Sequence, residues 1–158
     1  MKSKYVKIII SVIICLLAGG LGSVATQTSV HTWYTTIEKP FFNPPNWVFA
    51  PVWTTLFVLM GIAAALVWYK GFYHKWVKTA LYHFGFQLIL NVSWSMLFFG
   101  LQQIFPALLV VFGLFILLLF TFKWFKVVHK TAAYLLLPYI AWVGFAFVLN
   151  FSIWFLNR

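Results

Sequence analysis

Acidic side chains are all but missing: Glu38 is the only one in 158 residues, set against 11 lysines and arginines. Charge of either sign is scarce, at 8% of residues, too little to cover the surface of a water-soluble domain. A lone cysteine, Cys15, excludes an internal disulfide and, lying inside an apolar run, reads as a small packing residue. What remains is oily: 64% of residues are hydrophobic and 22% aromatic, where soluble domains are about 45–50% apolar. Lipid is therefore the solvent. The formal net charge of +10 does not point to nucleic acid, because the cations sit in short loops and not interleaved on one exposed face.

A membrane-crossing helix needs about 20 mostly apolar residues. Five segments qualify, near Tyr5–Ala25, Val48–Tyr69, Val77–Phe99, Ile104–Phe125 and Thr131–Phe155, and their unbroken apolarity predicts helices and not barrel strands. The expected fold is all-α, a single membrane domain over 1–158 built as a five-helix bundle, with a long first loop over 26–47. Pro106 falls in the first turn of its helix, where a missing N–H is harmless, whereas Pro138 lies well inside the last one and predicts a bend. Lysines at 2, 4, 7, 70, 75, 78, 123, 126 and 130 fall on one side and only Lys39 and Arg158 on the other. That bias places the N-terminus inside and the C-terminus outside, as in a bacterial plasma membrane. The basic start and Ser23-Val24-Ala25 imitate a cleavable secretory signal, but the apolar run exceeds a usual signal core, and the first helix is expected to be retained.

Six of the nine tryptophans lie near helix ends, where an indole anchors at the interface. Trp53, Trp94 and Trp142 lie deeper and point to one half of the bundle. Roughly 8 Å separates Trp53 and Trp94 from their helix ends, and Ala146 and Asn150 rise from Trp142 at i+4 and i+8. Phe57 is one turn below Trp53. The third helix carries a stripe of His83, Gln87, Asn91, Trp94 and Phe98, which either glues helices together or fixes a ligand in an aromatic cavity. Ala18/Gly22 and Gly61/Ala65 mark close helix contacts or a dimer surface. The loop "EKPFFNPPNWVFAPVWTTLF" is stiffened by Pro40, Pro44, Pro45 and Pro51 and loaded with aromatics, which suits a packed lid.

The segments "WYTTIEKPFFNPPNWVFAPVWTTLF", "NVSWSMLFFG" and "AAYLLLPYIAWVGFAFVLN" resemble, in order, those of the tryptophan-rich sensory proteins, also called translocator proteins or peripheral benzodiazepine receptors. The resemblance implies five membrane helices, often a homodimer, and one pocket under the first loop for porphyrins, haem precursors, sterols or benzodiazepine-site ligands. Matched motif by motif, that pocket uses Tyr34, Pro44, Trp53, Phe57, Asn91, Trp94, Trp142, Ala146 and Leu149. The sterol pattern of animal members departs here, with Phe151 where a tyrosine is required.

Three functions follow as expectations. The first is a receptor or sensor binding a porphyrin or similar apolar molecule, with haem as a possible ligand, no required cofactor and no metal site. Lys39 and His31 are then the cations nearest the mouth for its propionates. The second, implied by the resemblance, is a light- and oxygen-dependent porphyrin-degrading enzyme working through Trp53 and Trp142, since no intramembrane carboxylate, lysine or Cys–His pair offers acid–base or nucleophilic chemistry. The third is an uncoupled transporter, because no ionisable residue sits where a coupled carrier needs one.

Overall fold

The computed structural model describes residues 2–158; the side chain of Lys2, one of the cations counted above, lies outside what it describes. In chain order the helices are α1 (Lys2–Ser29), α2 (Trp33–Thr36), α3 (Asn46–Tyr69), α4 (Lys75–Ser95), a π turn (Met96–Gly100), α5 (Ile104–Val128), α6 (Lys130–Leu135) and α7 (Leu137–Asn157). Among the described residues, four stretches are long and apolar enough to cross a membrane: Ser3–Ser29, Asn46–Tyr69, Ile104–Val128 and Lys130–Asn157. The expected third crossing, α4, falls short on apolarity because Lys75, Lys78, His83, Gln87 and Asn91 all lie in it.

Neighbouring helices form a closed ring. α1 packs on α3 and α4, α4 on α5, α5 on α7, and α3 closes the circle against α6 and α7. Side chains turned out of the ring are apolar, as Ile9, Leu17, Phe86, Ile89 and Phe120 show, which is the pattern lipid selects.

The structure corrects the expected boundaries in three places. The first helix runs four residues past Ala25, through polar Thr26-Gln27-Thr28-Ser29, so the loop spans 30–45 and not 26–47. Hydroxyls make this possible: Thr26 Oγ1 donates to the Gly22 carbonyl (3.0 Å) and Thr28 Oγ1 to that of Ala25 (2.6 Å), while Ser29 Oγ donates to the Phe99 carbonyl across the bundle. At the end of the third segment the coil widens into the π turn, where the Leu101 N–H reaches back to the Met96 carbonyl (2.8 Å) and the adjacent Phe98 and Phe99 are both buried. Pro138 does more than bend its helix. Lacking an N–H and crowding the preceding turn, it divides the segment into α6 and α7 at Leu136.

Gly61 explains how α1 and α3 come together. A Cβ there would lie 2.5 Å from Val12 Cα and 2.8 Å from Val12 N, so the two backbones touch and only glycine fits. Gly61 and Ala65 are buried within the chain, and a Cβ on Gly22 would meet Ser95 Oγ at 3.2 Å. The small-residue pairs left open by the sequence therefore make contacts inside the bundle at these positions.

At one end, Lys7 Nζ sits 5.1 Å over the Trp68 ring, bringing the start of α1 to the end of α3. His129 caps α6 there by accepting the Ala132 N–H on Nδ1 (3.2 Å). Burial lowers its pKa below the usual 6.5, and Lys70 and Lys4 push the same way. A histidine kept neutral by folding contributes its full stability above that ordinary value and loses it as pH falls through the lowered one. The melting temperature should therefore drop on acidification from about pH 7 to pH 5. His129→Asn, which caps without titrating, should flatten part of that fall; an unchanged slope would remove the cap from the account.

Candidate functional site

Trp53 of α3 is the hub of an aromatic nest. Its ring centroid lies 5.9 Å from Phe57, 6.1 Å from Trp94, 6.3 Å from Trp142 and 6.4 Å from Tyr139, so the three deep indoles converge. Phe49 and Phe145 continue the cluster around Trp142 at 6.3 and 5.3 Å. Edge-to-face and tilted rings fill this space themselves, in the geometry their quadrupoles favour.

The free volume lies on the other side of Trp53. A cavity of about 580 Å³ lies between α1, α3 and α4, well within the range of small-molecule sites. Of the residues expected at the site, Trp53, Phe57, Asn91 and Trp94 line it. Tyr34, Ala146 and Leu149 line only a crevice of about 10 Å³ on the α7 side, too small for more than a water. Trp142 and Pro44 line neither. Trp142 stands behind Trp53, with its Nε1–H buried and without a hydrogen-bond partner.

Residues of α1 complete the wall, and sequence reasoning missed them. Gly19, Gly20, Ser23, Thr26 and Gln27 face the hollow, as does His31 beyond the helix end. The signal was faint but present: Gly20, Ser23 and Gln27 follow Leu16 at i+4, i+7 and i+11, putting small and polar groups on one face of the span. From α3 come Asn46, Trp47, Ala50 and Thr54, and from α4 Ser95. The wall is aromatic on one side and small or weakly polar on the other.

The buried amides glue helices. Asn91 Nδ2 donates to Tyr139 Oη (2.6 Å), whose own hydroxyl donates to Gln87 Oε1 (2.7 Å), joining α4 to α7. Trp94 Nε1 donates to Asn150 Oδ1 (3.0 Å), and Asn150 Nδ2 to the Ile104 carbonyl (3.1 Å). Tyr139, fully buried, is a linchpin the sequence reading passed over; its place three residues before Trp142 put it on the same face. Tyr139→Phe should cost about 1–3 kcal/mol in stability, since Gln87 Oε1 and Asn91 Nδ2 both lose their partner in a low dielectric. Thermal melts in detergent test this, and a loss below about 0.5 kcal/mol would show that water replaces the hydroxyl.

The loop is tied down. Tyr34 is buried against Phe99 (5.4 Å) and Phe98 (6.0 Å), and its Oη donates to Asn43 Oδ1 (2.6 Å). Burial pushes its pKa up to about 12, so the phenol stays a donor. Lys39 Nζ donates to the carbonyls of Tyr34 (2.7 Å) and Ile37 (3.0 Å) and lies 5.0 Å over the Tyr34 ring, which commits it to the loop and away from the cavity. The Asn157 side chain accepts the Glu38 N–H (3.0 Å) and donates to the Glu38 carbonyl (2.8 Å), pinning the loop to the end of α7.

Residues 11–155 match the family model described as the TspO/MBR family. The chain is 43% identical to a tryptophan-rich protein TspO of Archaeoglobus fulgidus, over 96% of this chain and 97% of that one. It is 40% identical to the Homo sapiens translocator protein over 87% and 85% of the two chains, and 35% identical to a tryptophan-rich sensory protein of Cereibacter sphaeroides over 79% and 77%. A helical bundle with apolar spans, a proline-braced cover and a match over nearly its whole length make this chain a membrane protein belonging to the TspO/MBR family.

Proposed function

We propose that the protein is a membrane receptor or sensor that binds a flat, largely apolar molecule of the porphyrin type in the cavity between α1, α3 and α4. The observation that carries this reading is a 580 Å³ hollow whose wall joins Trp53, Trp94 and Phe57 to small residues of α1. Aromatic faces supply contact area, and Asn91, Gln27 and His31 offer polar groups to a ligand's edge. Lys39, tied to the loop, leaves His31 as the nearer site for a ligand anion.

In this reading α4 with its π turn is the fifth crossing, since 26 residues from Lys75 to Gly100 reach roughly 39 Å. The contacts of Lys7 with Trp68 and of Asn157 with Glu38 support termini at opposite ends of the bundle, and the lysine bias is what favours an N-terminus inside and a C-terminus outside in a bacterial plasma membrane. Titrating the purified protein with protoporphyrin IX while following tryptophan quenching tests the site. Thr54→Trp, which fills the hollow, should weaken binding at least about tenfold, or ~1.4 kcal/mol. An affinity equal to wild type would place the ligand elsewhere.

One observation favours a second reading, light- and oxygen-dependent breakdown of the bound porphyrin. Trp53 in the cavity wall has Trp142 directly behind it at 6.3 Å, a continuous indole pair that suits electron or radical exchange. Illuminated porphyrin absorbance should then persist in Trp142→Phe; decay at the wild-type rate removes the enzymatic reading.

A further inference from the structure

The cavity's wall has a gap. In the half of the bundle away from the cover, α1 lies backbone to backbone on α3 at Val12 and Gly61. Beyond Gly19, which abuts the Phe57 ring, α1 turns its contacts toward α4. Gly22 packs on Ser95, Ala25 Cβ would lie 3.6 Å from a Cβ at Gly100, and Ser29 bonds the Phe99 carbonyl freed in the π turn. An α1 that touches α3 low and α4 high must part from α3 as it rises. Gly20 and Ser23 on α1 and Ala50 and Thr54 on α3 bear out that divergence: all four line the cavity, yet all are exposed. A Cβ at Gly20 would meet nothing within 4 Å.

Depth decides what lies outside the gap. Gly20 is nine residues below the end of α1 and Thr54 eight from the start of α3, roughly 14 and 12 Å along their axes. The hydrocarbon half-thickness is about 15 Å, so these residues face acyl chains and not water. At the top, Asn46 Nδ2 donates to the Val30 carbonyl (3.5 Å), which ties the start of α3 to the residue after α1 and bounds the gap there.

We propose that the cavity opens sideways between the cover-side halves of α1 and α3, and takes its ligand from the adjacent leaflet as a membrane-dissolved amphiphile with an apolar ring body and a polar edge. Polarity along the slot sets the orientation. Leu16 and Gly20 lie at the bottom, Ser23 and Thr54 midway, Gln27 and His31 at the top, so the polar edge faces the headgroups and the ring enters beside Trp53. The proposal rests on the cavity being the ligand site, and the test keeps the two apart.

One arm needs no ligand. A nitroxide at Ser23→Cys, in a Cys15→Ala background and in phosphatidylcholine–phosphatidylglycerol vesicles, should collide readily with dissolved oxygen and poorly with a water-soluble nickel chelate. The other arm follows protoporphyrin IX preloaded in the same vesicles. Gly20→Phe, whose ring stands in the gap, should slow both association and release at least tenfold. A label that meets the nickel chelate as freely as oxygen overturns the slot. So does an association rate in Gly20→Phe equal to that of a wild type that binds. If wild type binds no protoporphyrin while the label reports acyl chains, the porphyrin reading falls and the lateral slot stands.

Discussion

Gly61→Val is expected to break the contact of α1 with α3, and to cost more stability than any other single glycine substitution in the spans. Its new Cβ would fall 2.5 Å from Val12 Cα and 2.8 Å from Val12 N, atoms that no rotamer change can move. Overpacking a core normally costs about 1–3 kcal/mol because side chains give way. Backbone against backbone, the helices must separate, and both this contact and the Gly19–Phe57 contact above it are disturbed. A loss above about 3 kcal/mol is expected, together with exposure of Cys15, which is 1% accessible at present. Alkylation of Cys15 by a membrane-permeant maleimide reads the separation directly. Gly113→Val serves as control, since a Cβ there meets nothing within 4 Å. Equal melting temperatures and equal Cys15 protection in the two variants would contradict the crossing described.

The second large effect is expected at Trp53. Trp53→Ala removes the ring that touches Phe57, Trp94, Trp142 and Tyr139 and that faces the hollow. Truncating a central aromatic anchor costs about 2 kcal/mol or more in binding, so protoporphyrin affinity should fall at least roughly thirtyfold. Loss of the hub should also lower stability by about 3 kcal/mol. Trp142→Ala separates the two roles, because Trp142 supports the nest without lining the cavity. It should destabilise comparably and weaken binding far less. Were the two variants to lose affinity equally, the ligand would lie on the α7 side of Trp53 and the cavity assignment would be withdrawn.

Much of this arrangement was legible in the chain because lipid imposes simple rules. Long apolar runs had to be helices, and Pro138 had to disturb the last one. Spacing at i+3, i+4 and i+8 sufficed to bring Trp53, Trp94 and Trp142 toward each other. Hydropathy is least informative at α4, whose polar stripe lowers its apolarity below that of the four apolar spans even though Gln87 and Asn91 are buried in the ring. It also ended α1 too early, because hydropathy cannot see threonine hydroxyls folding back onto their own helix.

The sequence by itself determined a membrane-embedded helical bundle, a cover stiffened by proline, and three indoles that must leave the lipid together. Only the tertiary structure decided where room remains beside them. Rings that converge from α3, α4 and α7 pack against one another and close their own space, while Gly19, Gly20 and Ser23 on α1 leave theirs open. Empty volume is a property of how surfaces fail to meet. The angle at which α1 leaves α3 is set by a glycine contact at one end and a hydroxyl reaching a π turn at the other, and no local pattern encodes their sum.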